Sequence, residues 1–201
     1  MNVELFHERI RELYLPPSET FSVVEVPSIR YAAIEGSGDP ASTNGKEASK
    51  WLFSMAHVVK PFIKERMGSR FVEPPIEWQI TVHTPRDWVS KERNGWRWRA
   101  MIVFVDWINQ EMFEDAKTEV AARLGEPPRS LRLMEIHEGK CVQIMHVGDY
   151  DGVRDTCEKL YKQFLPENDL QPRDHYHEIY LNDPDRTAPK NRKMVIRQPV
   201  Q

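Results

Sequence analysis

His175-Tyr176-His177-Glu178-Ile179-Tyr180-Leu181-Asn182-Asp183-Pro184 is aromatic and β-branched, alternates in character, and closes on an Asn-Asp-Pro turn signal. That pattern predicts a strand. Strand side chains alternate between faces, so Tyr176, Glu178 and Tyr180 share one face, and His177, Ile179 and Leu181 share the other. The apolar pair is expected to point into the core. The opposite face then carries one carboxylate between two phenols. Such a face suits a flat, polarisable or cationic ligand. It also fits an ordinary strand face with Glu178 in water, and the strand alone favours that simpler account.

Working outward, residues 152–165 precede this strand with Val153, Cys157, Leu160, Tyr161 and Phe164 on one helical stripe, and 193–197 follow it as a last strand. Upstream, 131–138, a Gly139-Lys140 turn and 141–147 read as a β-hairpin. The first half has the same plan. Strands at 21–26 and 29–35 flank Pro27-Ser28, the second being a separate strand or a continuation of the first. A GSGDP loop, read as a turn, leads to a helix over 46–67 with Pro61 inside it. Trp51, Leu52, Met55, Val58, Val59, Phe62, Ile63 and Met67 lie on its apolar stripe. Strands follow at 76–83 and 96–105, and a helix at 109–124 joins the halves. A short amphipathic helix over 4–14 opens the chain.

Each half is therefore strand-helix-strand-strand, over about 21–105 and 131–198, a weak internal repeat. It predicts one pseudo-symmetric domain over 1–201, a duplicated βαββ of α+β class. The sheet is expected to be mostly antiparallel, with helices on one face and a central ligand cleft. Glu77 and Glu178 fall at corresponding places, early in the first strand after each helix, and a cleft between the halves is where they could meet.

Composition narrows the function classes. The chain has 201 residues, 40% hydrophobic and 29% charged, with a net charge of −3. There is no global basic field for nucleic acid. The two cysteines, Cys141 and Cys157, have no CxxC spacing, so a reduced cytoplasmic protein is expected. The N-terminus lacks a signal-peptide stretch, and the apolar run at 100–105 is too short to span a bilayer. A homodimer is compatible with the sequence.

Several blocks carry a resemblance: RELYLPP (11–17), the entry through RYAAIEGSGDP (30–40), PPIEW (74–78), WRW (96–98), HEGKCVQIMHVGDYD (137–151) and YHEIYLNDPDRTAPKNRKMVIRQPV (176–200). Together they span nearly the whole chain. On them the sequence resembles the GyrI-like small-molecule-binding domain family. The resemblance implies a duplicated βαββ core and a central ligand cleft. Some relatives carry this domain behind a helix-turn-helix in multidrug-responsive activators. No such module is seen here, which disfavours a transcription factor.

The stand-alone branch that the chain resembles includes hydrolases of cyclopropane-bearing, DNA-alkylating natural products. In those proteins aromatic residues hold the toxin and acids promote ring opening by water. Other relatives inhibit DNA gyrase or only bind ligands. The resemblance implies no cofactor and no metal.

Ring opening needs a nucleophilic water and stabilisation of charge arriving on a conjugated carbonyl. Glu178 is the first candidate base and Glu77 the second, and a pair with split protonation would divide acid and base roles. The Tyr180 hydroxyl is a candidate to polarise a carbonyl or orient water. Tyr176, Trp78, Trp88, Trp96 and Trp98 are candidates to hold a planar ligand, although at least two of the six tryptophans are expected to be plain core. Glu77 has a simpler reading as a surface acid near a strand start. His175 and His177 have a spacing zinc can use, with Asp174 and His146 nearby in sequence, but no third ligand is fixed, and no metal is expected. Cys141 reads as a structural thiol. The expected function is metal-free hydrolysis of such toxins. The alternatives are a non-catalytic binder of aromatic or cationic small molecules and a gyrase-inhibitor-like protein.

Overall fold

A computed structural model describes residues 9, 11–68, 73–81, 93 and 95–201. Among the described residues six strands are formed: β1 (Ser22–Ser37), β2 (Ile76–Thr81), β3 (Arg97–Val103), β4 (Arg132–Val147), β5 (Tyr176–Tyr180) and β6 (Lys193–Pro199). They close into a barrel in the order β1-β3-β2-β5-β6-β4. All of these pairings are antiparallel. The two halves, β1-β3-β2 and β4-β6-β5, share one internal order and meet at β2–β5 and β1–β4.

Closure depends on the two 16-residue strands. β1 runs against β4 in a single register from Ser22↔Gln143 to Ala33↔Arg132. The later part of β1 also pairs with β3, and the later part of β4 with β6. The turn expected at Gly139-Lys140 is corrected here, and of the two readings at Pro27-Ser28 the continuation holds: the chain does not break there. Before residue 30, β1 has a strand partner on one side only among the described residues, so a proline there can leave its missing N–H on the open edge. Nor does it turn at Gly139-Lys140. Gly139 takes a positive φ of 65° inside β4, and the long β1 partner carries the strand straight through.

The helices are α1 (Thr43–Met67), α2 (Gln110–Leu124) and α3 (Asp151–Lys159), the last continuing through a π-helical turn, Leu160–Phe164. Asn109 caps α2 by accepting the Met112 N–H at 2.9 Å. α1 runs through Pro61, which lies on its exposed side, where the hydrogen bond lost at the proline faces water. Of the predicted stripe of α1, Phe62 is exposed and Val58 half-buried, and six residues are buried: Trp51, Leu52, Met55, Val59, Ile63 and Met67. Each of these stabilises the fold by about 1.5–3 kcal/mol relative to exposure. No helix among the described residues is long and apolar enough to cross a membrane.

Two cores result, one on each side of the barrel wall. Helices pack on the outer face against Ala32, Ile34, Trp78, Ile80, Trp98, Ala100 and Ile102. The inner face gathers Tyr31, Ala33, Met101, Val103, Ile179 and Val195, with Leu13 and Tyr14 entering from the N-terminal segment. The alternation read in the sequence thus separates helix-facing from barrel-facing residues, and both faces are buried.

Gly36 opposes Trp98 on β3, and a Cβ at Gly36 would sit 2.2 Å from the indole. Gly36→Ala is therefore expected to displace Trp98 at a cost of roughly 1–3 kcal/mol. A lowered denaturation midpoint with a changed near-UV tryptophan signal would show it. An unchanged signal would count against the packing described.

Candidate ligand-binding and catalytic site

β5 places Tyr176, Glu178 and Tyr180 on the helix side of the wall, as the alternation required. The solvated-face account of Glu178 does not hold, because its carboxylate is buried to 3% exposure. Tyr180 Oη donates to its Oε2 at 2.8 Å, and Tyr150 Oη donates to its Oε1 at 2.9 Å. Burial pushes the Glu178 carboxyl above the usual glutamate range, against the lowering effects of the Tyr180, Tyr150 and Tyr176 hydroxyls and of Arg93. Burial also drives the hydroxyls of Tyr150, Tyr176 and Tyr180 well up, so the three remain protonated donors.

Across the β2–β5 pair, Trp78 directly opposes Glu178, and Ile80 opposes Tyr176. Trp78 meets Trp98 edge to face, with ring centroids 5.3 Å apart. Trp96, Trp98 and Trp78 are all buried, at 5%, 4% and 7% exposure. The buried Trp98 Nε1–H has no acceptor among the described residues. Arg93 stacks over Trp96 at 5.1 Å and over Tyr150 at 5.4 Å, and donates to Asp39 Oδ1 at 3.0 Å. Tyr150, Tyr180 and Arg93 are half-buried and border the acid. Trp88 lies outside the described residues.

Tyr150 and Arg93 are functional candidates that sequence reasoning passed over. Tyr150 stands in the GDYD loop just before α3, and helix docking carries its hydroxyl to an acid 28 positions away. Its only sequence signal was a tyrosine at the loop-to-helix junction.

The structure does not bring Glu77 and Glu178 together. Glu77 opposes Ile179, whereas Glu178 opposes Trp78, so the two acids point to opposite sides of the wall. The weak repeat placed them one residue out of phase, and in a strand one residue is a change of face. Nor is Glu77 a surface acid. It is fully buried inside the barrel, accepting from Tyr14 Oη at 2.9 Å and Tyr31 Oη at 3.2 Å. His177 Nε2 lies 2.9 Å from Glu77 Oε2, a salt-bridge distance without the alignment of a hydrogen bond.

Beyond His177 the interior network continues. His177 Nδ1 is 3.0 Å and His175 Nε2 is 2.7 Å from Glu138 Oε1, and Gln79 Nε2 donates to the same oxygen at 3.1 Å. Arg197 Nη1 donates to Glu138 Oε2 at 3.3 Å. Burial pushes the Glu138 carboxyl up, but His177, His175 and Arg197 outweigh burial and hold it well below the glutamate range. For His177, burial lowers the pKa while Glu138 and Glu77 raise it, to about 9. The result is an imidazolium between two carboxylates.

The comparisons with known proteins agree with this architecture. The model of the GyrI-like small molecule binding domain matches residues 99–201. No curated protein matches the chain. An uncharacterized conserved protein from Listeria innocua is 28% identical, with 98% of both chains covered and a TM-score of 0.84. Two structures of hydrolases from Listeria innocua are 27% and 26% identical, again covering 98% of both chains, with TM-scores of 0.80 and 0.78.

Proposed function

Because the chain belongs to the GyrI-like small-molecule-binding domain family, we propose that the outer face around Glu178 binds a flat, aromatic small molecule and hydrolyses its strained three-membered ring. The observation that carries this reading is a buried carboxylate of raised pKa, held by two tyrosine hydroxyls, directly across from Trp78 in a wall of tryptophans. The likeness to hydrolases over nearly the whole chain supports a reaction rather than binding alone.

The chemistry follows from the side chains. Trp78, Trp98 and Trp96 offer faces and edges to a planar ring system. The free Trp98 Nε1–H suits a ligand carbonyl, since an unmatched buried donor costs about 1–3 kcal/mol that an acceptor would recover. Tyr180 and Tyr150 each occupy one oxygen of Glu178, leaving further lone pairs for a water. Ionised Glu178 takes a proton from that water as its oxygen bonds to a cyclopropane carbon. The ring C–C bond breaks, and its electron pair moves through the conjugated system to the carbonyl oxygen. The proton then passes from Glu178 to that oxygen or to solvent. The net change is addition of one water, with no cofactor consumed. This route uses Glu178 alone as the base and does not call on Glu77.

The test is incubation of the protein with a cyclopropane-bearing, carbonyl-conjugated aromatic compound, followed by mass analysis. A product heavier by one water is the expected result. Saturable binding with no such product would leave only a binding role and sink the hydrolase assignment. If turnover occurs, its rate is expected to rise with pH, with a midpoint above that of an ordinary glutamate. A base works only when ionised, and burial raises the pH at which Glu178 ionises.

A further inference from the structure

The barrel interior contains a second cluster of chemical groups, separated from Glu178 by the wall itself. Glu138 Oε1, His175 Nε2 and His177 Nδ1 all lie within 4.8 Å of one another. Two of these donor pairs are 2.7 and 3.0 Å apart. Ligands at zinc bond lengths of about 2.0–2.1 Å in a tetrahedral site stand about 3.3 Å from each other. The Glu138–imidazole distances therefore need to open by about 0.3–0.6 Å to admit an ion.

The surrounding groups fit that use. A metal-bound imidazole usually has its second nitrogen turned to a carboxylate, and Glu77 Oε2 stands 2.9 Å behind His177 Nε2. Arg197 takes Glu138 Oε2, leaving Oε1 as the oxygen toward which both histidines point. His175 and Gln79 also line a pocket of about 420 Å³, bordered by Glu35, Thr81, Arg97 and Arg99. Of the three groups His175 alone lines that pocket, so the cluster meets it on the His175 side. Three protein ligands with an open position is the arrangement of a reactive zinc site rather than a closed structural one.

We propose that Glu138, His175 and His177 form a binding site for a zinc-class divalent ion in the barrel interior, beside the pocket that His175 lines, the ion displacing to solvent the proton on His177 Nδ1. His175, just before β5, and His177 on β5 supply two ligands, and β4 supplies the third, 37 positions from the nearer histidine. Nitrogen and carboxylate donors favour zinc, cobalt or nickel over calcium or magnesium. The site is independent of the chemistry at Glu178, because the two lie on opposite faces of β5.

The full chain, stripped with a chelator, is titrated with Zn2+ by calorimetry, and bound metal is counted by elemental analysis after gel filtration. One zinc per chain with a Kd below about 10 µM is expected. His175→Ala, at a half-buried position, should weaken binding by at least about 100-fold, and Glu77→Gln by roughly 10–100-fold. His57→Ala, on the exposed side of α1, should leave it unchanged. Co2+ added to the unmutated protein should give a visible absorption band of a low-coordinate nitrogen-ligated site, a readout that needs no variant. Absence of stoichiometric zinc at that affinity, absence of the cobalt band, or zinc binding that survives His175→Ala overturns the proposal.

Discussion

Glu178→Gln is expected to lower ring-opening turnover by about 10²–10⁴-fold while leaving the fold intact or slightly more stable. The two halves of this expectation have one cause. Burial raises the Glu178 pKa, so its ionised form is less comfortable in the folded chain than in the unfolded one. Stability contributed by this group is therefore greatest when it is protonated and falls as pH rises through its raised pKa. Glutamine keeps the shape, still accepts from Tyr180 or Tyr150 through its carbonyl, and removes the ionisation cost. It cannot accept a proton from water at neutral pH. Single-turnover mass analysis and denaturant unfolding measure the two halves separately. Unchanged turnover in this variant would remove Glu178 from the mechanism. Lost turnover with a large loss of stability would mean that the acid is structural.

Arg197→Met is expected to cost about 3–5 kcal/mol, a large part of the 5–15 kcal/mol that typically stabilises a folded domain. Arg197 is fully buried and bridges Glu138 Oε2, Gln143 Oε1 at 3.1 Å and the Leu13 carbonyl. Removing it leaves buried acceptors without their cation, and the N-terminal segment loses a tie to the barrel. Urea unfolding measures this directly. A loss under about 1 kcal/mol would show that the interior network is not held by its charges.

The same network sets a pH window in the chelator-treated protein. His177 has a folded pKa of about 9, above the usual 6.5. Its contribution is fully present below about 6.5 and is lost as pH rises through 9, on the order of 3 kcal/mol in all. Glu138 behaves oppositely. Its depressed folded pKa gives stability that is present above the normal glutamate range and lost on acidification. A stability profile that falls on the alkaline side between these limits, and flattens there in His177→Gln, is the expected result. A profile flat to pH 10 would contradict the imidazolium assignment.

The strand around Glu178 and the α1 stripe show where the sequence was legible. Tyr176, Glu178 and Tyr180 were read onto one face from strand periodicity, and they are on one face. The α1 stripe from Trp51 to Met67 was read from helical spacing, and it is buried except at exposed Phe62 and half-buried Val58. The order of strands and helices in each half was legible for the same reason: apolar period is a local property of the chain. Gly139-Lys140 was misread because a glycine between two β-rich runs is also local evidence, and here a distant partner, β1, overrode it.

Three things lay beyond local evidence. Alternation tells which residues share a face but not which face is inward, and barrel closure buried both. A one-residue phase difference between repeats, invisible in a weak repeat, sent Glu77 into the barrel and Glu178 toward the helices. Tyr150, Arg93 and Glu138 reach their partners only through packing between segments far apart in sequence. The amino-acid sequence by itself determined the α+β elements, the family and the Tyr-Glu-Tyr strand, because each is encoded by residue period and local motif. Only the tertiary structure decided that Glu178 is a desolvated acid and that HxH gains a third partner, because desolvation and ligand geometry exist only once distant segments have closed around them.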